Sequence, residues 1–196
     1  MDLCGPMHVP LIGARYLYVI TYDYTQKTFA YLLSCKDDTF EHFRRFKALT
    51  ESELGLSIIK VRSDRGGEFK SHIFGSFCSN HGITQEFTPS YTPQLNGVAE
   101  RKNRTIMDMV RCMLIDSKLS LEFWGEASKC ATYILNRLPT KPIRGGCPEE
   151  IWQQKSILIF VLLVAKHMYL VHFARSWIRL SSKELCSDIR IQAMGI

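Results

Sequence analysis

The chain has 196 residues, 46% of them hydrophobic and 22% charged. That is the size of about one domain of ~100–200 residues, with enough apolar material to bury a core and too little charge for a disordered chain. Lys and Arg number 25 against 19 Asp and Glu, a formal charge of +6, which points to a polyanionic partner such as nucleic acid or an anionic surface.

The longest apolar run, Ile157 to Ala165, has nine residues, whereas a membrane span needs ~20. The opening MDLCGPMHVP has neither the basic nor the apolar region of a secretory signal. No membrane role and no secretion are therefore expected, which leaves the nucleus or the cytoplasm. The cysteines at 4, 35, 78, 112, 130, 147 and 186 form no C-x-x-C pair, and the histidines form no short clamp. This excludes a zinc site or disulfide framework of ordinary spacing and fits a reducing compartment.

In chain order, RYLYVITYDY (15–24) and KTFAYLLSC (27–35) are aromatic and β-branched, so they predict two strands joined as a hairpin through Tyr24-Thr25-Gln26. Asp37-Asp38-Thr39 opens a helix with Phe40, Phe43, Phe46 and Leu49 as its apolar face and Gly55 as its stop. LSIIKVRSD (56–64) predicts a strand ending in a polar turn. GGEFKSHIFGSFCSNHG (66–82) predicts a helix buried through Phe69, Ile73, Phe77 and Cys78, and ITQEFTP (83–89) a short strand. SYTPQLNG (90–97) predicts a Pro/Asn/Gly loop. A helix then runs from Val98, with Ile106, Met109, Val110, Met113 and Leu114 on one side. A last helix, 121–139, ends at Pro139. The order implies an α/β layer with a mixed sheet.

Three carboxylates stand out by position. Asp64 ends a strand, at the end where α/β sheets place their sites. Glu100 lies in the first turns of a helix, with 35 residues between it and Asp64. Asp2 stands where a preceding strand would end. Carboxylates brought together repel unless cations neutralise them, and hard oxygen ligands suit Mg²⁺ or Mn²⁺. Two such ions ~3.5–4 Å apart serve in-line phosphoryl displacement. Taken singly, an Asp at a strand end is also an ordinary turn residue, and a Glu on a helix an ordinary solvated one.

The flanking segments narrow the choice. RSDRGGEF (62–69) and YTPQLNGVAERKNRTIMDMVRCML (91–114) resemble the integrase core of copia-type retrotransposon Pol polyproteins, within the retroviral integrase superfamily. DLCGPM (2–7), FWGEASKCATYILNRLP (123–139) and PEEIWQQK (148–155) resemble further parts of that core, so the likeness covers about residues 2–155. The resemblance implies a ribonuclease-H-like mixed sheet flanked by helices. It implies that Asp2, Asp64 and Glu100 are a catalytic, metal-binding triad for two Mg²⁺ or Mn²⁺ ions. The implied chemistry is DNA integration, by 3′-end processing and strand transfer between element ends and target DNA, in a homo-oligomer. Gln94 and Asn96, in the loop, are candidates for base or sugar contacts, with ordinary turn chemistry as the alternative. Arg101, Lys102 and Arg104 are candidates for phosphate contacts. Asp23-Tyr24 resembles the family's strand-end Asp-Tyr pair but follows Tyr22 rather than an acid, and is read as structural.

The chain opens at the first aspartate of the triad. The central first strand is therefore expected to be cut short, leaving Asp2 without the backbone pairing that holds a ligand in place. The family's histidine/cysteine zinc module is likewise expected to be absent. The expected organisation is an integrase core over 1–154 and an atypical, irregular tail over 155–196. One codon choice for Leu162–Tyr169, CTT-TTG-GTT-GCA-AAG-CAT-ATG-TAC, read two bases later spells FGCKAYV, a segment of the family type. Leu185–Ile196 in the same phase allows LFGYSDTSNGY, another. The tail thus reads as out-of-frame translation after a frameshift near Gln154–Ser156. It holds six basic and two acidic residues and so carries +4 of the +6, which moves the nucleic-acid argument from net charge to Arg101, Lys102, Arg104 and the triad. The other readings are a catalytically inactive nucleic-acid-binding relic and a folded scaffold with no DNA role.

Overall fold

The computed structural model describes residues 1–10, 13–88, 93–143 and 146–154, and of Pro93–Asn96 and Val98 the backbone alone. The frameshift reading, which concerns 155–196, lies outside the described residues. The elements are β1 (Asp2–Cys4), β2 (Tyr16–Thr21), β3 (Thr28–Leu33), α1 (Asp38–Leu54), β4 (Lys60–Ser63), α2 (His72–Asn80), β5 (Thr84–Phe87), α3 (Pro93–Ser117), a 3-10 turn (Leu121–Phe123), α4 (Trp124–Arg137) and α5 (Pro148–Gln153). They form two compact units: Met1–Thr21 with Phe29–Arg104, and Tyr22–Thr28 with the described residues from Thr105 onward.

In the first unit β1, β2 and β3 form one sheet in that order, and β4 and β5 a second. β1 runs antiparallel to β2 with Asp2 opposite Val19, while β4 and β5 are parallel with Ser63 opposite Phe87. Strands of both orientations are therefore present, as a mixed α/β fold requires. The predicted hairpin is present. The Tyr22 N–H donates to Lys27 O at 2.8 Å, and Gln26 takes the left-handed conformation (φ 58°) that closes the turn. Asp2 is not left unpaired: β1 is only three residues long, but its ladder to β2 fixes the Asp2 backbone.

The core of this unit is aromatic. Tyr18, Leu33, Phe43, Phe69, Phe74 and Cys78 are buried together, with Phe43 stacked on Phe74 at 4.9 Å between ring centroids. α1 stops at Gly55, whose left-handed φ of 66° brings its N–H to Glu51 O. Its buried face is Thr39, Phe43, Phe46 and Thr50, spaced i, i+4, i+7, i+11. Leu49, predicted on that face, is 68% exposed. Each three-residue step lags a 3.6-residue turn by about 60°, so from Phe40 to Leu49 the stripe rotates about 180°. α2 starts six residues later than its predicted span, because the Ser71 side chain accepts from Phe74 N–H and caps it there. Phe69 is buried from the turn before the helix, and Ile73 faces outward.

α3 departs most from expectation, because residues 93–97, read as loop, are already its first turns. Proline is well suited to a first helical position, with its φ preset and no N–H to leave unpaired. The helix continues as a buried stripe of Asn103, Ile106, Val110, Met113 and Leu114. In the second unit α4 buries Trp124, Ala127, Cys130, Ala131 and Ile134. There the Asn136 amide pairs with the Thr28 backbone through two 2.8 Å bonds, and Lys27 meets Glu149 at 3.0 Å.

Phe43→Ala should lower the urea-unfolding free energy by about 3–5 kcal/mol through the cavity it leaves. Leu49→Ala should change it by less than about 0.5 kcal/mol.

Candidate metal and nucleic-acid site

Asp2 and Asp64 are brought together at the ends of β1 and β4. Asp2 is held by its strand pairing and by two hydrogen bonds. Leu3 N–H donates to Oδ1 at 3.0 Å, and the Asn103 Nδ2 amide donates to Oδ2 at 2.7 Å. The Met1 ammonium donates to Arg62 O on β4 at 2.6 Å, which ties the start of β1 to the strand that carries Asp64. Asp64 follows β4 directly, and its Oδ1 accepts from Gly66 N–H at 3.0 Å. Burial raises the Asp2 carboxyl above its ordinary value, and the nearby Asp64 charge adds to the rise. The terminal ammonium, Asn103 and the Leu3 N–H oppose it. Like charges held this close are what a divalent cation relieves, and two carboxylates are the oxygen donors a hard ion prefers.

Glu100 is exposed on α3. Among the described residues no three His, Cys, Asp or Glu side chains form a group that could hold a metal, so Asp2 and Asp64 meet without it. Glu100 precedes Asn103 by three residues, and residues so spaced are neighbours on a helix surface. It therefore stands one turn from the side chain that grips Asp2.

Asn103 was not singled out from the sequence. It is 6% exposed, and its Oδ1 is buried with no hydrogen-bond partner among the described residues. An ionised Asp2 accepts only, so the amide nitrogen must face it and the oxygen is left over. The available signal was its position in line with Ile106 and Val110. That is a core stripe, where a polar residue must answer a buried partner.

The basic trio divides. Arg101 and Arg104 are exposed, whereas Lys102 is half-buried and desolvation lowers its ammonium below the usual lysine range. At about 100° per residue Arg101 and Arg104 share a face and Lys102 turns away from it. Gln94 and Asn96 lie on the first turns of α3 rather than in a loop, and their side chains are outside the described residues.

This arrangement, with carboxylates at adjoining strand ends and a long helix beside them, is the ribonuclease-H-like fold of integrase catalytic cores. Residues 1–93 match the integrase core domain family. The chain belongs to that family, and its relatives include copia-type retrotransposon Pol polyproteins. It is 45% identical over 157 residues to the Retrovirus-related Pol polyprotein from transposon TNT 1-94 of Nicotiana tabacum, covering 80% of this chain and 12% of that protein. It is 35% identical over 126 residues to the Pol polyprotein from transposon RE2 of Arabidopsis thaliana, covering 64% of this chain and 8% of that one. The chain thus spans about a tenth of the curated relatives it matches.

Among solved structures, the BIV integrase catalytic core domain aligns with TM-score 0.54 and 20% identity over 78% of this chain and 92% of that one. The HTLV-2 integrase catalytic core domain in complex with magnesium, in its dimeric form, aligns with TM-score 0.51 and 21% identity over 70% and 83%. The simian T-cell lymphotropic virus intasome in complex with the PP2A regulatory subunit B56 gamma aligns with TM-score 0.57 and 16% identity over 73% and 49%. No helix among the described residues is long and apolar enough to cross a membrane.

The Asp2 carboxyl keeps its proton to higher pH in the folded chain than its ordinary 3.8. Its contribution to stability is therefore full below that value and is lost as the pH rises through the folded-state value. In metal-free buffer Asp2→Asn should raise the melting temperature at pH 7 relative to the native chain, and the difference should vanish near pH 3. Melting curves across that range check both signs.

Proposed function

We propose that the chain is the catalytic core of a divalent-metal-dependent polynucleotidyl transferase that processes DNA 3′ ends and joins them to target DNA. The observation that carries the reading is the juxtaposition of Asp2 and Asp64, two like charges that the fold seats together, in a chain of the integrase core family. In this reading Asp2, Asp64 and Glu100 are the metal ligands. Two Mg²⁺ or Mn²⁺ ions, when bound, supply an activated oxygen nucleophile and a stabilised leaving oxygen. The magnesium complex of the HTLV-2 catalytic core supports the choice of metal.

The residues of the chain itself position the reaction. The β1–β2 ladder and Asn103 orient the Asp2 oxygens, and the Gly66 N–H orients those of Asp64. Arg101 and Arg104 project from α3 to hold DNA phosphates, while Gln94 and Asn96 at its start meet bases or sugars. Acting on two DNA ends calls for more than one copy of the chain, and the dimeric form of the HTLV-2 core supports a homo-oligomer. The functional domain is residues 1–154. Residues 155–196 are proposed as out-of-frame translation, and the locus sequence tests it: codons unable to spell FGCKAYV in the shifted frame reject it.

The exposed Glu100 favours a second reading, a nucleic-acid-binding relic without activity. A strand-transfer assay with Mn²⁺ separates the two. The enzyme reading expects product that Glu100→Gln lowers by at least about 100-fold, the scale of the several kcal/mol a bound metal contributes. Equal background signal from both chains rejects it. DNA retention should weaken as salt rises, and Arg101→Ala should reduce the slope of log K against log salt by about 1.

A further inference from the structure

The turn after β4 holds a carboxylate that the proposed reaction leaves unused. The Glu68 side chain is only 7% exposed, yet its ionic partner Lys36 is 52% exposed and 4.0 Å away. So long and solvated a pair contributes little and does not account for burying a carboxylate. The contact beneath it does. A Cβ placed on Gly66 would lie 2.7 Å from Glu68 Cδ and 2.8 Å from both carboxylate oxygens. Three atoms at nearly one distance mean that the carboxylate turns its flat face to the space a Gly66 Cβ would occupy. Gly66 is not among the glycines of positive φ, so a side chain at this position would act through this close approach, by displacing the Glu68 carboxylate, and not through backbone conformation.

Gly66 is also the residue that holds Asp64, through its N–H on Oδ1 at 3.0 Å. Its carbonyl accepts from the N–H groups of Phe69 and Lys70 at 3.1 and 3.2 Å. Glu68 is tied in turn, its carbonyl accepting from Ser71 Oγ at 3.3 Å, and the adjoining Phe69 ring is fully buried. The main chain on both sides of the Glu68 side chain is therefore fixed, and the carboxylate, the end of a flexible side chain, is enclosed by burial.

We propose that Glu68 is a positioning residue for Asp64. Its carboxylate, seated against the space a Gly66 Cβ would occupy, wedges the turn so that the Gly66 N–H stays on Asp64 Oδ1 and Oδ2 is left for a cation. The inference rests on the reading of Asp64 as a metal ligand. The wedge acts by shape, so a neutral isostere serves as well as the carboxylate.

The test compares the full chain with Glu68→Gln, Glu68→Ala, Gly66→Ala and the double variant Gly66→Ala/Glu68→Ala. Two quantities are read: hydrogen-exchange protection of the Gly66 amide without metal, and Mn²⁺ affinity by calorimetry. Glu68→Gln should keep both within about 2-fold. Glu68→Ala and Gly66→Ala should each lower Mn²⁺ affinity by about 10–100-fold, the usual effect of losing an outer-shell partner, and reduce the protection of the Gly66 amide. In the double variant the new methyl fills the vacated space, so it should recover part of both losses. Native-like behaviour of Gly66→Ala, losses that simply add in the double variant, or Glu68→Gln as damaging as Glu68→Ala would each overturn the proposal. If Glu68→Ala does not fold, Gly66→Ala and Glu68→Gln decide it between them. If the native chain shows no Mn²⁺ binding that Asp64→Asn removes, the metal reading fails, and the amide protection still decides the role of Glu68.

Discussion

Two negative charges are held close together by segments that cannot relax apart, and the rest of the candidate site is arranged around them. Asp2 is fixed by the β1–β2 ladder and Asp64 by the end of a parallel strand pair and its own turn. Neither carboxylate can swing far from the other without breaking backbone hydrogen bonds. Burial, and after it the charge of Asp64, raises the proton affinity of Asp2. A fold gains nothing in stability from such a pair, and sites that work against stability are where function concentrates.

The neighbouring groups relieve the strain incompletely. Asn103 gives Asp2 one charge-assisted bond, and in doing so leaves its own carbonyl oxygen without a partner among the described residues. A leucine or methionine would have continued the α3 stripe at no such expense, since burying an unpaired acceptor costs about 1–3 kcal/mol. The asparagine is explained by what it does for Asp2. Gly66 serves Asp64 in a comparable way, through backbone rather than side chain.

Much of this was legible in the sequence, and what was not has identifiable causes. The hairpin could be read from two β-branched runs and a short polar joint, and the end of α1 from Gly55. Asp64 could be placed because it follows a strand, a position set by local pattern, whereas Asp2, expected at the end of a preceding strand, is the first residue of β1. Leu49 was misplaced because a run of three-residue steps resembles a helical stripe over one turn and leaves it over three. The start of α3 was missed because Pro, Asn and Gly read as loop residues, whereas proline in a first turn begins a helix as readily as it ends one. Asn103 was invisible for another reason. Its partner lies 101 residues away in the chain, and no local pattern encodes a contact of that range.

The same helix explains why the charged residues of 100–104 must be separated by face rather than counted together. Glu100 and Asn103 are one turn apart, and Asn103 is the buried member that reaches Asp2. Arg101 and Arg104 are likewise one turn apart on an exposed face. Lys102 lies between them in sequence but away from them in space, with its ammonium partly desolvated. The 3.6-residue turn thus sends neighbours in sequence to different sides: Asn103 is buried against Asp2, whereas Glu100, Arg101 and Arg104 are exposed. The net charge of the chain says nothing of this. The proposed phosphate contacts rest on the spacing of Arg101 and Arg104 along one helix and not on that sum.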